Sequence, residues 1–392
     1  MQLLWLATGW PQMTQTRIES KAGSERIPEL DGLRGFAILL VILCHYISDV
    51  PHGQSHSLRS MAGTFLGLGG SGVDLFFILS GFLIGGILLD SKQSPNYYLT
   101  FYLRRFHRIF PLYYSWILIF ATLSFANVSY HLQSSYWVYL TYLQNYFFQR
   151  SPVEFIWLAI TWSLGVEEQF YLVAPPLIRN SRPRTLVRIL LTVVTIAFFL
   201  RLFLVTVYGH AEHDYWGLRA ATFWMPSRAD NLAVGVIAAL AWRNESARVW
   251  IATHISYFKY LLAACLGGVL LTAFWMLKPN YPFSPIVGIP LLSALYFSLL
   301  IICLMDKDTL TACTFRWRPL RELGKISYCV YIIHVAVNWT LHARVLSDLP
   351  RFDSLPSIAV TVLAFAATLL IAEASWYLFE GPLIRRGHKY SY

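Results

Sequence analysis

Apolar residues in this chain come in long runs, at about 34–49, 68–89, 109–127, 155–178, 185–208, 223–242, 258–277, 284–305, 326–346 and 356–379. A helix needs about 20 mostly apolar residues to cross the hydrocarbon core of a bilayer, and the runs approach or exceed that length. They predict an all-α polytopic membrane protein of about ten transmembrane helices around a central cavity. The segment 134–149 is shorter, and its apolar and polar positions share the helical period. It is expected to lie along the membrane interface.

Composition agrees with the pattern. Of 392 residues, 56% are hydrophobic and 13% charged, with a mean hydropathy of +0.50. A water-soluble fold cannot bury that much apolar surface. The net charge of +10 would suit nucleic acid, but the basic residues are clustered between alternate runs. Arg17, Lys21 and Arg26 precede the first run, Arg104, Arg105 and Arg108 follow the second, and Arg316, Arg318 and Arg321 precede the ninth. Such alternation is the positive-inside signature, and it predicts both termini in the cytoplasm. The five cysteines (44, 265, 303, 313 and 329) have no metal-ligand spacing. They read as small hydrophobic residues, and no metal site is expected. The expected division is a cytoplasmic segment 1–26, a membrane domain 27–386 and a cytoplasmic tail 387–392, with Met1 and Met13 both open as the start. Residues 1–12 make a poor signal peptide, for want of a basic n-region.

Ionisable residues inside the runs point to chemistry, because a charge in hydrocarbon costs several kcal/mol by most scales. Arg34 and His45 belong to the first helix. Their spacing of eleven is close to three turns, which predicts one shared face and a separation of about 16 Å along the axis. Arg105 and Arg108, at i and i+3, share a face and suit phosphate oxygens. In the fourth run the adjacent Glu167 and Glu168 point about 100° apart, so one can face a cavity while the other pairs elsewhere. A buried carboxylate beside an imidazole would orient it, which makes Glu167 a candidate partner for His45. Asp74, near an end of the second run, needs an arginine partner. Arg228 and Asp230 open the sixth helix and suit a buried ion pair or an acceptor contact. Ser327, Tyr331 and His334 form one polar stripe on the ninth helix, for which packing is the simpler role.

Taken together and in order, these motifs resemble the acyltransferase 3 family of integral membrane O-acyltransferases. The resemblance rests on Ile27–Gly35 with Asp31, on Arg34 and His45 as its Arg-x10-His signature, and on Arg105 and Arg108 as its Arg-x-x-Arg. It continues through Gly72–Phe82 with Asp74 and Ser80, Trp162–Tyr171 with Glu167 and Glu168, Arg228-Ala-Asp230, Ile326–His334 with Tyr331, and Glu380-Gly-Pro382. It implies a stand-alone enzyme without the SGNH-type domain of many relatives. It further implies transfer of an acyl group, usually acetyl, from cytoplasmic acetyl-CoA (acyl-CoA) to a hydroxyl of an extracytoplasmic or membrane-associated acceptor. A sugar of a cell-surface polysaccharide, lipopolysaccharide or peptidoglycan is the expected acceptor. The location implied is the plasma (inner) membrane of a bacterium.

The residues suggest a compatible division of labour. His45, Glu167 and Arg34 are the catalytic candidates, and Arg105, Arg108 and Arg34 the candidates for holding the donor. Asp31, Asp74, Ser80, Glu168, Arg228, Asp230, Tyr331 and His334 are candidates for support or for the acceptor side. Direct transfer and an acyl-histidine intermediate both fit. A proton-coupled exporter of a sugar or small molecule is the competing class. Inverted repeats would favour it, and the chain has no convincing repeat. A membrane scaffold would not need Arg34, His45 and Glu167 buried together.

Overall fold

The structure is a computed structural model and describes residues 27–48, 67–126, 136–147, 156–209, 216–276 and 284–392. The expected N-terminal segment 1–26 with its two candidate starts, and Arg59, Arg150 and Lys278, lie outside the described residues.

Among the described residues the secondary structure is helical throughout. The helices are α1 (Pro28–Leu43), α2 (Gly72–Asp90), α3 (Tyr97–Ala126), α4 (Tyr136–Leu140), α5 (Gln144–Phe147), α6 (Ile156–Ala159), α7 (Trp162–Asn180), α8 (Pro183–Tyr208) and α9 (Trp216–Phe223). They continue with α10 (Met225–Arg243), α11 (Glu245–Thr253), α12 (Ile255–Met276), α13 (Ile289–Met305), α14 (Leu310–Arg316), α15 (Arg318–Val345), α16 (Leu355–Ser375) and α17 (Gly381–Gly387). Five-residue π turns extend α1 through Cys44–Ser48 and join α16 to α17 through Trp376–Glu380.

Among the described residues, seven helices are long and apolar enough to cross a membrane, those at α1, α2, α3, α8, α12, α13 and α16. The predicted runs 223–242 and 326–346 also form long helices, α10 and α15, and 155–178 becomes α6, a turn and α7. These helices are more polar because their buried faces carry Arg228, Asp230 and Asn231 on α10 and Ser327, His334, Asn338 and His342 on α15. The 134–149 segment becomes α4 and α5, with Gln144 and Asn145 buried. Helix α3 begins twelve residues before its predicted run, so Arg104, Arg105 and Arg108 stand on the helix itself. Helix α1 starts with proline in its first turn and the acidic Glu29 and Asp31 beside it. Proline suits a position with no intrahelical N–H bond to lose, and acids there complement the positive end of the helix dipole.

Burial sorts the helices into an interior and a periphery. In the most apolar window of α2, 72% of residues are buried, against 11% for α12. Peripheral helices such as α8 and α12 turn Phe199, Phe203, Tyr260 and Leu271 outward. In a membrane protein such a face meets lipid. The interior is built on two crossings without side chains between the backbones. At the first, a methyl group on Gly32, Gly35 or Gly324 would land on the carbonyl oxygen of Phe315, Leu320 or Asp31, so α1 lies directly on α14 and α15. At the second, a methyl group on Gly81 or Gly235 would meet the carbonyl of Leu232 or Ile78, fixing α2 against α10. Small residues give membrane helices their closest packing.

The C-terminal residues return to α3. Arg104 donates from Nε and Nη2 to the carbonyl of Tyr390 at 2.9 and 2.6 Å, and Thr100 donates to the carbonyl of Ser391 at 2.8 Å.

The crossing of α1 and α15 is the test of this packing. Gly35→Ala or Gly324→Ala should destabilise the protein by about 1–3 kcal/mol through overpacking, seen as a lower melting temperature in detergent. Gly267→Ala should be neutral or stabilising, because a methyl group there meets nothing within 4 Å.

Candidate active site

A cavity of about 300 Å³ lies between α1, α2, α3, α7 and α15. Arg34, Arg105 and Arg108 line it together with Ser80, Glu167 and Tyr171, and α2 contributes an apolar wall that includes Phe76, Phe77 and Ile84. The three guanidinium groups come from two helices distant in sequence. Arg34 Nη1 stands 3.8 Å from Asp31 Oδ1, a loose pairing. The Arg105 guanidinium lies 6.0 Å from the Phe101 ring centre and 5.9 Å from that of Tyr171, and its buried Nε has no hydrogen-bond partner. Among the described residues, neither Arg105 nor Arg108 has a carboxylate at salt-bridge distance.

One carboxylate faces this positive group. Glu167 accepts a hydrogen bond from Ser80 at 2.6 Å and another from Tyr171 at 3.2 Å. Glu168 does not line the cavity, as the 100° between neighbouring helix positions requires. One of its buried oxygens has no hydrogen-bond partner. The hydrogen bonds of Glu167 therefore tie it to α2 and to its own helix. Sequence spacing could not show that Ser80 would sit opposite it.

His45 sits in the π turn at the end of α1 and is not among the cavity's lining residues. The α ladder ends at Leu43, and the imidazole leaves from the π turn that follows. Its Nδ1 lies 2.9 Å from the carbonyl oxygen of Val41 and 3.1 Å from Nε2 of His334. His334 is fully buried, with its Nδ1 2.8 Å from the carbonyl oxygen of Tyr331 and 3.1 Å from that of Val330. Tyr331 links this pair to the cavity. Its ring lines the cavity, packs edge-on to Phe76 with centres 6.4 Å apart, and stands 6.0 Å from the His334 ring. Its hydroxyl donates to the carbonyl of Ile160 at 2.6 Å and bonds to Ser163 at 2.7 Å.

The remaining candidates form a separate group of buried ion pairs. Asp74 accepts from Arg228 at 2.7 Å and from Asn231 at 2.6 Å. Asp230 pairs with Arg201 at 2.6 Å, and Arg201 also donates to the carbonyl of Ser227 at 2.5 Å. The partner that Asp74 requires is thus Arg228, one helix away. Arg201 was not among the sequence candidates, although an arginine in the middle of the run 185–208 is the kind of signal that singled out Arg34. Tyr171, Tyr328 and Ser163 were also missed as lining residues, because a tyrosine or serine in an apolar helix carries no such signal. Among the described residues, no cluster of His, Cys, Asp and Glu could hold a metal ion.

Fold and site together define an integral membrane protein with a buried, net-positive recess. The family model Acyl_transf_3, described as an acyltransferase domain, matches residues 27–376. The chain belongs to this acyltransferase family. It is 26% identical over 395 residues to the O-acetyltransferase OatA of Staphylococcus aureus (strain NCTC 8325 / PS 47), covering 95% of this chain and 60% of that protein. It is 28% identical to the putative peptidoglycan O-acetyltransferase YrhL of Bacillus subtilis (strain 168), covering 93% and 56%. It is 27% identical to the peptidoglycan O-acetyltransferase OatA of Listeria monocytogenes, covering 92% and 56%. The chain therefore spans a little over half the length of these relatives. No solved structure matches it.

The ion pairs of Asp74 and Asp230 should be structural. Removing one partner of a buried pair strands the other charge and costs about 3–5 kcal/mol, while removing both can be nearly neutral. Arg201→Met should lower thermal stability sharply, and Arg201→Met with Asp230→Leu should recover much of the loss in a double-mutant cycle.

Proposed function

We propose that the protein is a membrane O-acyltransferase that moves an acetyl group from cytoplasmic acetyl-CoA to a sugar hydroxyl of an extracytoplasmic polymer. The observation that carries this reading is the charge imbalance of the cavity, lined by the three guanidinium groups of Arg34, Arg105 and Arg108 and by one carboxylate, Glu167, with only the loose pairing of Arg34 to Asp31 beside it. Buried cations without a counter-charge are costly, so such a recess favours an anionic ligand. Arginine forks match phosphate oxygens in particular. The nucleotide phosphates of the donor would pair with Arg105 and Arg108. Arg34 and the Ser80–Glu167–Tyr171 group would hold its polar arm, which would run past Tyr331 towards His45.

His45 acts as the general base. The imidazole takes the proton of the acceptor hydroxyl as the oxygen attacks the thioester carbonyl carbon. The carbon–sulfur bond breaks, and the proton passes to the departing thiolate, leaving the ester and free thiol. An imidazole titrates in the range that this work needs. A polymer acceptor is supported by the names of the Bacillus and Listeria relatives, which refer to peptidoglycan. The basic clusters between alternate helices support a cytoplasmic donor side and both termini inside, in the cytoplasmic membrane of a bacterium.

Donor and base are separable by mutation. Arg105→Ala or Arg108→Ala should weaken acetyl-CoA binding by at least tenfold in calorimetry on the detergent-purified protein. Lysine should restore it in part, and Arg351→Ala should have no effect. Arg351 is an exposed residue paired with Asp348 at 3.4 Å. Equal losses at all three positions would remove the donor site from this cavity. His45→Ala should lower acetyl transfer to surface polymer by about 10²–10⁴-fold, while acetyl-CoA binding stays intact. Near-normal transfer would move the chemistry elsewhere.

A further inference from the structure

We propose that Arg104, held in place by residues 388–392, is a second phosphate site beside the donor cavity and takes the 3′-phosphate of acetyl-CoA. The inference rests on the proposed donor site at Arg105 and Arg108 and deepens it.

The coenzyme carries phosphate at two places, a diphosphate within its chain and a monophosphate on the ribose. The cavity accounts for one of them. Arg105 and Arg108 line it, whereas Arg104 does not. Neighbouring helix positions point about 100° apart, so Arg104 leaves α3 on a different side from Arg105, one step along the same axis. On that side it meets the end of α17. A methyl group on Gly387 would stand 3.1 Å from Cβ of His107 and 3.6 Å from Cα of Arg104, so α17 closes directly onto this turn of α3. A ligand with phosphate at two places can therefore reach Arg105 and Arg104 together.

The contacts of Arg104 fix its guanidinium without neutralising it. Nε and Nη2 both donate to the carbonyl of Tyr390, and Cζ lies 4.9 Å from the centre of the Tyr392 ring. Thr100, one helical turn earlier, anchors the same segment through the carbonyl of Ser391. A carbonyl oxygen and a ring face stabilise a cation but leave its charge in place. Among the described residues Arg104 has no carboxylate at salt-bridge distance, and its Nη1 makes no hydrogen bond. The exposed Arg385, Arg386 and Lys389 have no carboxylate at that distance either. His388 stands beside the same arginines. Burial first, and then the charges of Arg104, Arg108 and Arg105, hold its imidazole below its ordinary value.

This end of α3 thus has positive charge and a hydrogen-bond donor to spare. A topology signal needs only the number of cations on one side of the membrane. It does not need one of them bound twice to a carbonyl and stacked on a ring. A guanidinium fixed in advance gives up less freedom when it binds, and its N–H groups suit phosphate oxygens.

The test pairs two donors, acetyl-CoA and acetyl-dephospho-CoA, which lacks only the 3′-phosphate. Their affinities are measured by calorimetry on the full chain purified in detergent. The wild-type protein should prefer acetyl-CoA by about tenfold or more, the usual worth of a hydrogen bond to a charged group. Arg104→Ala should weaken acetyl-CoA to the level of the dephospho compound and leave the latter unchanged. Tyr392→Ala, which removes the ring under the guanidinium, should reduce the preference in part. Arg105→Ala should weaken both donors and keep the preference. Equal weakening of both donors by Arg104→Ala would overturn the inference, and so would an unchanged preference. If Arg104→Ala spares both donors but lowers the phosphatidylglycerol retained after purification from mixed phosphatidylglycerol and phosphatidylcholine vesicles, the anion is a lipid headgroup and the inference falls. Failure of Arg105→Ala to weaken either donor would instead overturn the donor site on which it rests. The wild-type comparison needs no variant, and equal affinity for the two donors would overturn the inference even if Arg104→Ala failed to fold.

Discussion

Everything at the site depends on how closely α1 lies against α15. Gly35 and Gly324 bring the two backbones together with no side chain between them. This contact sets Arg34 of α1 beside Ser327 and Tyr328 of α15 at the cavity. Further along the same two helices it brings His45 to His334. A wider crossing would separate both pairs at once, so the cation in the recess and the imidazole pair are positioned by a single packing constraint.

The buried charges divide into two groups with different bookkeeping. Arg201 with Asp230 and Arg228 with Asp74 are matched one to one and further satisfied by Ser227 and Asn231. This group supplies its own counter-charges and ties α8, α10 and α2 together, although Nε of Arg201 and of Arg228 makes no hydrogen bond. The group at the cavity is matched only in part, by Glu167 and by Asp31 beside Arg34, and its shortfall of negative charge is what a ligand would supply. Both groups consist of arginine and acid residues in apolar helices, so residue type alone does not tell them apart. Partner geometry does.

Much of the fold was legible from hydropathy, because among the described residues the long apolar runs fall on helices, the run 155–178 on two of them. The more polar helices α7, α10 and α15 were legible too, since their runs remain long between the charges. At the site, the pairing of Arg105 with Arg108 followed from their i,i+3 spacing on one helix, and the need of Asp74 for an arginine followed from the cost of a buried charge. What stayed hidden was every contact between distant helices. Nothing in the sequence states that Ser80 caps Glu167, that Arg228 rather than another arginine meets Asp74, or that His334 meets His45. Arg201 is a different case, because the rule that singled out Arg34 applies to it equally.

The π turn at Cys44–Ser48 bears on how motif spacings are translated into geometry. A spacing such as that from Arg34 to His45 is a count along the chain, whereas a catalytic arrangement depends on an angle about an axis. The two are interchangeable only while each hydrogen-bonded ring spans the same number of residues. Where a ring takes in one more, the count is kept and the angle is not. A fixed interval between two motif residues therefore guarantees a common face only in an uninterrupted α-helix, and here the interruption begins at Cys44, next to His45.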